Sequence, residues 1–95
     1  MNVAVIGGGG HGRVIIDMIE KAGELNLVGI LDANISPGEE VLGYRVLGPD
    51  SDIASLVESH GIEAVVVAIG DNWVRSNVVA AVADQVPQMN FPTVI

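Results

Sequence analysis

The chain has 95 residues, 49% hydrophobic and only 3% aromatic, with a formal net charge of −8 and no cysteine. That length suits one small domain, its apolar content excludes a disordered tail, and Val, Ile, Leu and Ala must fill its core, as in parallel sheets covered on both faces. The charge argues against a general binder of nucleic acid or anionic membranes, because no basic stripe exists to neutralise phosphates, and without cysteine there is neither disulfide nor thiolate chemistry.

Met1-Asn2 lacks the basic start of a signal peptide, and the first apolar run, Val3-Ala4-Val5-Ile6, breaks at Gly7. No stretch approaches the ~20 apolar residues of a membrane helix. The expectation is a cytoplasmic domain that neither enters a membrane nor binds nucleic acid.

Residues 2–6 read as a first buried strand. The run Gly7-Gly8-Gly9-Gly10-His11-Gly12 follows directly. A helix is expected from about Gly12 to Ala22, with Val14, Ile15, Met18, Ile19 and Ala22 as its apolar stripe and Gly23 as its stop. Leu27 to Leu31 reads as a second strand ending at Asp32, and Ala33 to Glu40, containing Pro37-Gly38, as a loop. Within Val41 to Gly48 a short strand is expected near Arg45 to Leu47. Pro49-Asp50-Ser51 opens a second helix that turns Ile53, Leu56 and Val57 inward and ends at Gly61. Ala64 to Ile69 is the clearest strand, apolar without alternation.

Gly70-Asp71-Asn72 is a second loop, with Asn72 expected to cap a third helix. That helix carries Val74, Val78, Val79 and Val82 on one face, and Pro87 stops it. Phe91-Pro92-Thr93-Val94-Ile95 begins a further extended segment. This apolar run reaches the last residue without a polar tail, so we expect part of a longer protein, cut where a second domain begins.

Strands alternating with helices predict an α/β fold: a small Rossmann-like parallel sheet of about four to five strands with helices on both faces. Such sheets bind ligands at the carboxyl ends of their strands, near the point where strand order reverses. Gly7–Gly12, Asp32–Asn34 and Gly70–Asn72 are all expected at that edge. Gly7, Gly9 and Gly12 fit G-x-G-x-x-G, whose glycines permit a tight turn and close approach to a diphosphate. Backbone N–H groups and the positive end of the helix can hold a phosphate without a basic side chain.

Arg13 and Arg75 either add charge there or are ordinary first-turn surface residues. Asp32 follows Gly12 at the ~20-residue spacing that suits a carboxylate accepting from ribose hydroxyls or a base N–H; the alternative is an Asx residue starting the loop. His11 could donate to a phosphate or sugar oxygen, cap local backbone or act as an acid–base. Catalysis needs a partner, so the positioning role is preferred. His60 reads as a helix C-terminal residue favoured by the dipole. The two histidines have no metal-ligand spacing, and Ser51 and Ser55 lack a nucleophile-elbow context. Trp73, beside the Gly70 loop, is assigned to core packing or a domain contact in preference to base stacking.

Four pieces taken together are similar to a known family: Gly7-Gly8-Gly9-Gly10-His11-Gly12-Arg13-Val14, Gly29-Ile30-Leu31-Asp32, Gly43-Tyr44-Arg45-Val46-Leu47-Gly48, and Ala68-Ile69-Gly70-Asp71-Asn72 with Arg75. They resemble the N-terminal domain of sialic acid O-acetyltransferases and bacillosamine N-acetyltransferases, the PglD/NeuD type. The resemblance implies a small Rossmann-like domain that binds a nucleotide-sugar. Gly9, Gly10 and His11 would cradle the ligand, Asp32 and Ala33 would contact its base or ribose, and Gly70 would line the same pocket. It also implies a following left-handed β-helix domain that binds acetyl-CoA, forms a homotrimer and carries the catalytic histidine.

Two positions depart from the family's usual pattern: Ala33 stands where a second acidic residue is common, and Arg45 where proline is. The hexapeptide repeats and the catalytic histidine are absent from these residues. The chain alone is therefore expected to bind substrate without catalysing, to hold no metal or tightly bound cofactor, and to be a monomer. The alternative is an NAD-binding fragment of a dehydrogenase or redox sensor, which Asp32 after the glycine motif also fits. A third reading is an interaction module whose glycine loop is purely structural.

Overall fold

A computed structural model describes residues 1–92. Its elements, in order, are β1 (Asn2–Ile6), α1 (Gly10–Ala22), β2 (Asn26–Leu31), β3 (Glu40–Val41), β4 (Tyr44–Gly48), a 3-10 turn at Asp50–Asp52, α2 (Ile53–His60), β5 (Ala64–Val67) and α3 (Asn72–Gln85). The sheet has five strands in the order β3-β4-β2-β1-β5. β1 pairs in parallel with β2 and β5, and β2 with β4, while β3 is antiparallel to β4. The expected α/β sheet is what the chain forms.

Val3 to Ile6 are all buried because both faces of β1 are covered. Val3 and Val5 point to one face, where they join Ile16 and Ile19 of α1 with Ile30 and Val46. Ala4 and Ile6 point to the other, with Ile53 and Leu56 of α2 and Val82 of α3. The two-residue period of a strand thus assigns alternate side chains to two helical layers. β2 and β4 lie on one side of β1 and β5 returns on the other. Strand order therefore reverses between β1 and β5, where a crevice opens beyond the carboxyl ends of the strands.

Several local expectations need correction. α1 begins at Gly10, not Gly12, and its buried stripe is Gly12, Ile16 and Ile19, whereas Val14 is 56% exposed. These positions are spaced i, i+4 and i+7, one side of a helix. Gly23 does stop it: the residue is left-handed (φ 70°) and its N–H donates to the Ile19 carbonyl. Gly61 ends α2 in the same way, bonding Val57.

The strand expected near Arg45 is one arm of a hairpin. The supposed loop before it pairs through Glu40–Val41, and Leu42 and Gly43 turn between them with positive φ, the twist that tight hairpins favour. β5 stops at Val67, two residues short of the expected Ile69: Ala68 N still donates to Ile6 O, then the chain turns out.

On α3 only Val82 of the expected face is buried, Val78 and Val79 are half-buried, and Val74 is exposed. Trp73 is 75% exposed and so is not part of the core. The extended segment expected over Phe91 to Ile95 lies, from 93 to 95, outside the described residues. Just before it, Asn90 pairs in parallel with Ala64. No helix among the described residues is long and apolar enough to cross a membrane.

Candidate functional site

Three backbone hydrogen bonds lace the carboxyl edge of the sheet into one row. Asp32 N donates to Gly48 O (3.0 Å), Gly7 N to Leu31 O (2.9 Å) and Ala68 N to Ile6 O (2.8 Å). The glycine loop, the Asp32 turn and the loop leading to Gly70 are thereby neighbours, as expected from their places in sequence.

The glycines of the first loop divide into two kinds. Gly7 has φ +109°, and a Cβ there would lie 2.8 Å from Ala68 O. A Cβ on Gly12 would lie 1.9 Å from Gly7 O, so helix and loop meet backbone to backbone. A Cβ on Gly8 would press on Ile35 at 2.7 Å. Gly7 and Gly12 are required by backbone packing within the chain, whereas at Gly8 the first atom met is the tip of the Ile35 side chain. Gly9 and Gly10 are different. Neither has positive φ, and a Cβ on either would meet nothing within 4 Å. The fold itself does not demand glycine at the two positions where α1 begins. A ligand that must approach the backbone would.

α1 has no side-chain cap: its N-cap is Gly9, and its first turn has no acidic residue. Its first N–H groups and the positive end of its dipole face outward. α3 is built otherwise. Asp71, not the expected Asn72, is its N-cap, accepting from Val74 N at 3.0 Å. Asp71 has the extended backbone of a cap, while the Asn72 side chain accepts from the Arg75 guanidinium. Arg75 also donates to Ile69 O at 3.3 Å, so it braces the loop between β5 and α3.

Asp32 serves the loop directly. One carboxylate oxygen accepts from Gly8 N at 2.8 Å and the other from Asn34 N at 2.7 Å. It is the Asx residue of its turn and also the post that fixes the glycine loop. Each oxygen keeps a further lone pair for a ligand.

A cleft of about 350 Å³ opens at this edge, lined by Ile6, Gly7, Leu31, Asp32, Ala33, Asn34, Asp50, Ile69, Val74 and Val78. Asp32 and Ala33 thus share one cleft with the glycine loop. Gly70 is exposed, and its neighbour Ile69 is the lining residue. Gly9, Gly10 and His11 are exposed at the turn into α1. The His11 side chain lies on another cavity, of about 580 Å³, with Arg75 and apolar residues of α1, β5 and α3. Arg13 is an exposed first-turn residue. Among the described residues no cluster of His, Asp and Glu is placed to hold a metal ion.

Sequence reasoning placed Asn34 at this edge with Asp32 but missed Asp50. Asp50 read only as a helix opener, and its arrival at the cleft depends on β4 pairing with β2, a contact without a local signal.

A family model described as the PglD N-terminal domain matches residues 2–82. No curated protein matches the chain. Among solved structures, a mutant of perosamine N-acetyltransferase from Caulobacter crescentus, in complex with CoA and GDP-perosamine, is 38% identical with a TM-score of 0.77, over 90% of this chain and 39% of that one. The acetyltransferase domain of PglB from Neisseria gonorrhoeae, in complex with acetyl coenzyme A, is 26% identical with a TM-score of 0.64, over 90% and 40%. RSP in complex with NADH is 20% identical with a TM-score of 0.66, over 90% and 41%, a likeness of fold alone. The chain spans 39% and 40% of the lengths of the two acetyltransferase chains.

Proposed function

The chain belongs to the PglD N-terminal domain family, and from that premise we propose that it is the nucleotide-sugar-binding domain of an acetyl-CoA-dependent sugar O- or N-acetyltransferase. The observation that carries this reading is the start of α1. Two glycines that internal packing does not require stand at an uncapped helix end, beside a cleft with an apolar floor. In a protein with only four Lys and Arg, such backbone groups can hold a phosphate without a basic side chain. The diphosphate lies against Gly9, Gly10 and His11. The nucleoside enters the cleft past Asp32 and Ala33, with Gly70 beside it. The exposed His11 imidazole donates to a phosphate or sugar oxygen.

The similarity to perosamine N-acetyltransferase, whose structure contains GDP-perosamine and CoA, supports both the ligand class and the reaction. In the whole protein, proposed to be a cytoplasmic homotrimer, the sugar's amine or hydroxyl would be held against the thioester of acetyl-CoA. Acetyl-CoA binding and the catalytic histidine would belong to a following β-helix domain, as the family resemblance implies. The part played by these residues is binding and orientation, which converts a bimolecular encounter into a positioned one.

Titration calorimetry tests the proposal. The folded protein should bind at least one of a GDP-, UDP- or dTDP-sugar, and silence with all three would overturn it. NAD is the competing ligand, because Asp32 ends β2 where such domains hold a ribose. Enhanced NADH fluorescence on mixing would favour that second reading.

A further inference from the structure

We propose that Asp50 reads the nucleobase of the bound nucleotide, and that the base it selects is guanine. The inference rests on the nucleotide-sugar reading and deepens it.

The cleft at the carboxyl edge, about 350 Å³, is at the small end of the ~300–1,000 Å³ range of ligand pockets. It suits the nucleoside part of a nucleotide-sugar. Its apolar surfaces, Ile6, Leu31, Ile69, Val74 and Val78, can sandwich a flat ring, and no basic residue lines it. The carboxylates of Asp32 and Asp50 further make its interior unsuited to phosphate. Its polar side chains are the carboxylates of Asp32 and Asp50 and the amide of Asn34.

Asp50 is a carboxylate without a side-chain hydrogen-bond partner among the described residues. It follows Pro49 at the carboxyl end of β4 and is half-buried. Its main-chain carbonyl accepts from Ile53 N, closing the 3-10 turn. A Pro-Asp-Ser sequence before a helix normally uses the aspartate as a cap. Here neither the 3-10 turn nor α2 has a side-chain cap bond, and the Asp50 carboxylate accepts from no described residue. Asp32, which lines the same cleft, has a backbone N–H on each oxygen. A half-buried carboxylate facing an apolar slot gains from a ligand that brings donors.

The bases differ in what they present. Guanine places two donors side by side, its N1–H and its N2 amino group, matching the two oxygens of one carboxylate. Uracil and thymine have a single N–H between two carbonyl oxygens, which a carboxylate repels. Adenine and cytosine set an acceptor nitrogen beside their amino group. Only guanine is complementary to an unpaired carboxylate, and an acceptor that the wrong base covers without a donor penalises that base.

Calorimetry with GDP, inosine diphosphate, UDP, dTDP and ADP on the folded protein tests this. GDP should bind on the order of 10- to 100-fold tighter than UDP, dTDP or ADP. Inosine diphosphate, lacking the N2 amino group, should fall between. Asp50→Asn should reduce GDP affinity by a similar factor and leave UDP nearly unchanged. UDP or dTDP binding as tightly as GDP, or inosine diphosphate matching it, would overturn the inference while leaving the nucleotide reading intact. Silence with every nucleotide and nucleotide-sugar would overturn both. The inosine comparison needs no substitution, so it decides the matter even where Asp50→Asn fails to fold.

Discussion

The two helices that start beside the switch point begin in opposite ways. α3 is closed at its amino end by the Asp71 carboxylate, bonded to Val74 N. α1 opens on glycine with no side-chain cap. A capped helix has satisfied an N–H and placed a negative charge at its positive end. It has little left for an anion. An uncapped one keeps its donors for a ligand, and must be held in place by something else. The contrast separates a helix terminus closed by its own chain from one that the proposed function uses for binding. It also says what substitutes for the cap in α1: the backbone contact between Gly12 and Gly7 and the Asp32 carboxylate beneath Gly8.

The largest effect is expected where that substitute is removed. Gly12→Ala would drive a methyl group into Gly7 O, and the atoms it meets are backbone. The cost should be about 3 kcal/mol or more, a large share of the ~5–15 kcal/mol that holds a domain together. Thermal unfolding should shift down by at least ~10 °C. An unchanged melting curve would mean that α1 is not held through this contact, and the comparison between the helices would lose its basis.

Next comes an exchange of cap between the helices. Gly9→Asp gives α1 what α3 already has. The backbone at Gly9 is extended (φ −79°, ψ −162°), as an N-cap requires, and the space beside it is open. Stability should rise by about 0.5 kcal/mol. Nucleotide-sugar binding should fall by roughly 100-fold or more, because the new carboxylate takes the phosphate's donors and repels its charge. Gain of stability with intact affinity would sever the open helix end from ligand binding.

The converse, Asp71→Ala, should cost about 1 kcal/mol and lower Tm by ~4–8 °C. Affinity should change less than about threefold, as for a change outside the ligand contacts. A collapse of binding with this variant would show that the β5–α3 loop takes the same part as the α1 loop.

What could be read from sequence follows the same division. Features set by neighbours in the chain were legible: the apolar run of β1, the glycine loop, the stops at Gly23 and Gly61. Features set by distant partners were not. Leu42 adopts positive φ at a hairpin turn where glycine or asparagine is the usual signal, so the hairpin of β3 and β4 stayed hidden. A start of α1 near Gly12 is two residues late: the helix begins at Gly10, inside a glycine run where no side chain marks the boundary. Asp71 and Asn72 are both good cap residues, and only the backbone distinguishes them. Of the candidate site, Asp32 and the glycines were legible, whereas the division of those glycines into packed and open ones needed the positions of Ala68, Ile35 and Gly7 itself.

The smallest expected effect concerns the far side of α1. Glu20 accepts the Tyr44 hydroxyl at 2.8 Å, tying α1 to β4. That hydrogen bond, then burial and the charge of Glu20, raise the Tyr44 pKa above its ordinary value. The neutral phenol is the form favoured by folding, so the contribution is fully present below pH ~10 and disappears as pH rises through the higher folded value. The pair is solvent-accessible, and Tyr44→Phe should cost only about 0.5 kcal/mol at neutral pH. Urea midpoints of the two proteins should converge as Tyr44 ionises, and then cross, since the ionised phenol beside Glu20 repels it while phenylalanine does not. A constant gap at all pH values would assign the tyrosine's effect to packing. A helix left uncapped at its amino end would then depend on Gly12 and on its buried face, with no measurable help from this tie.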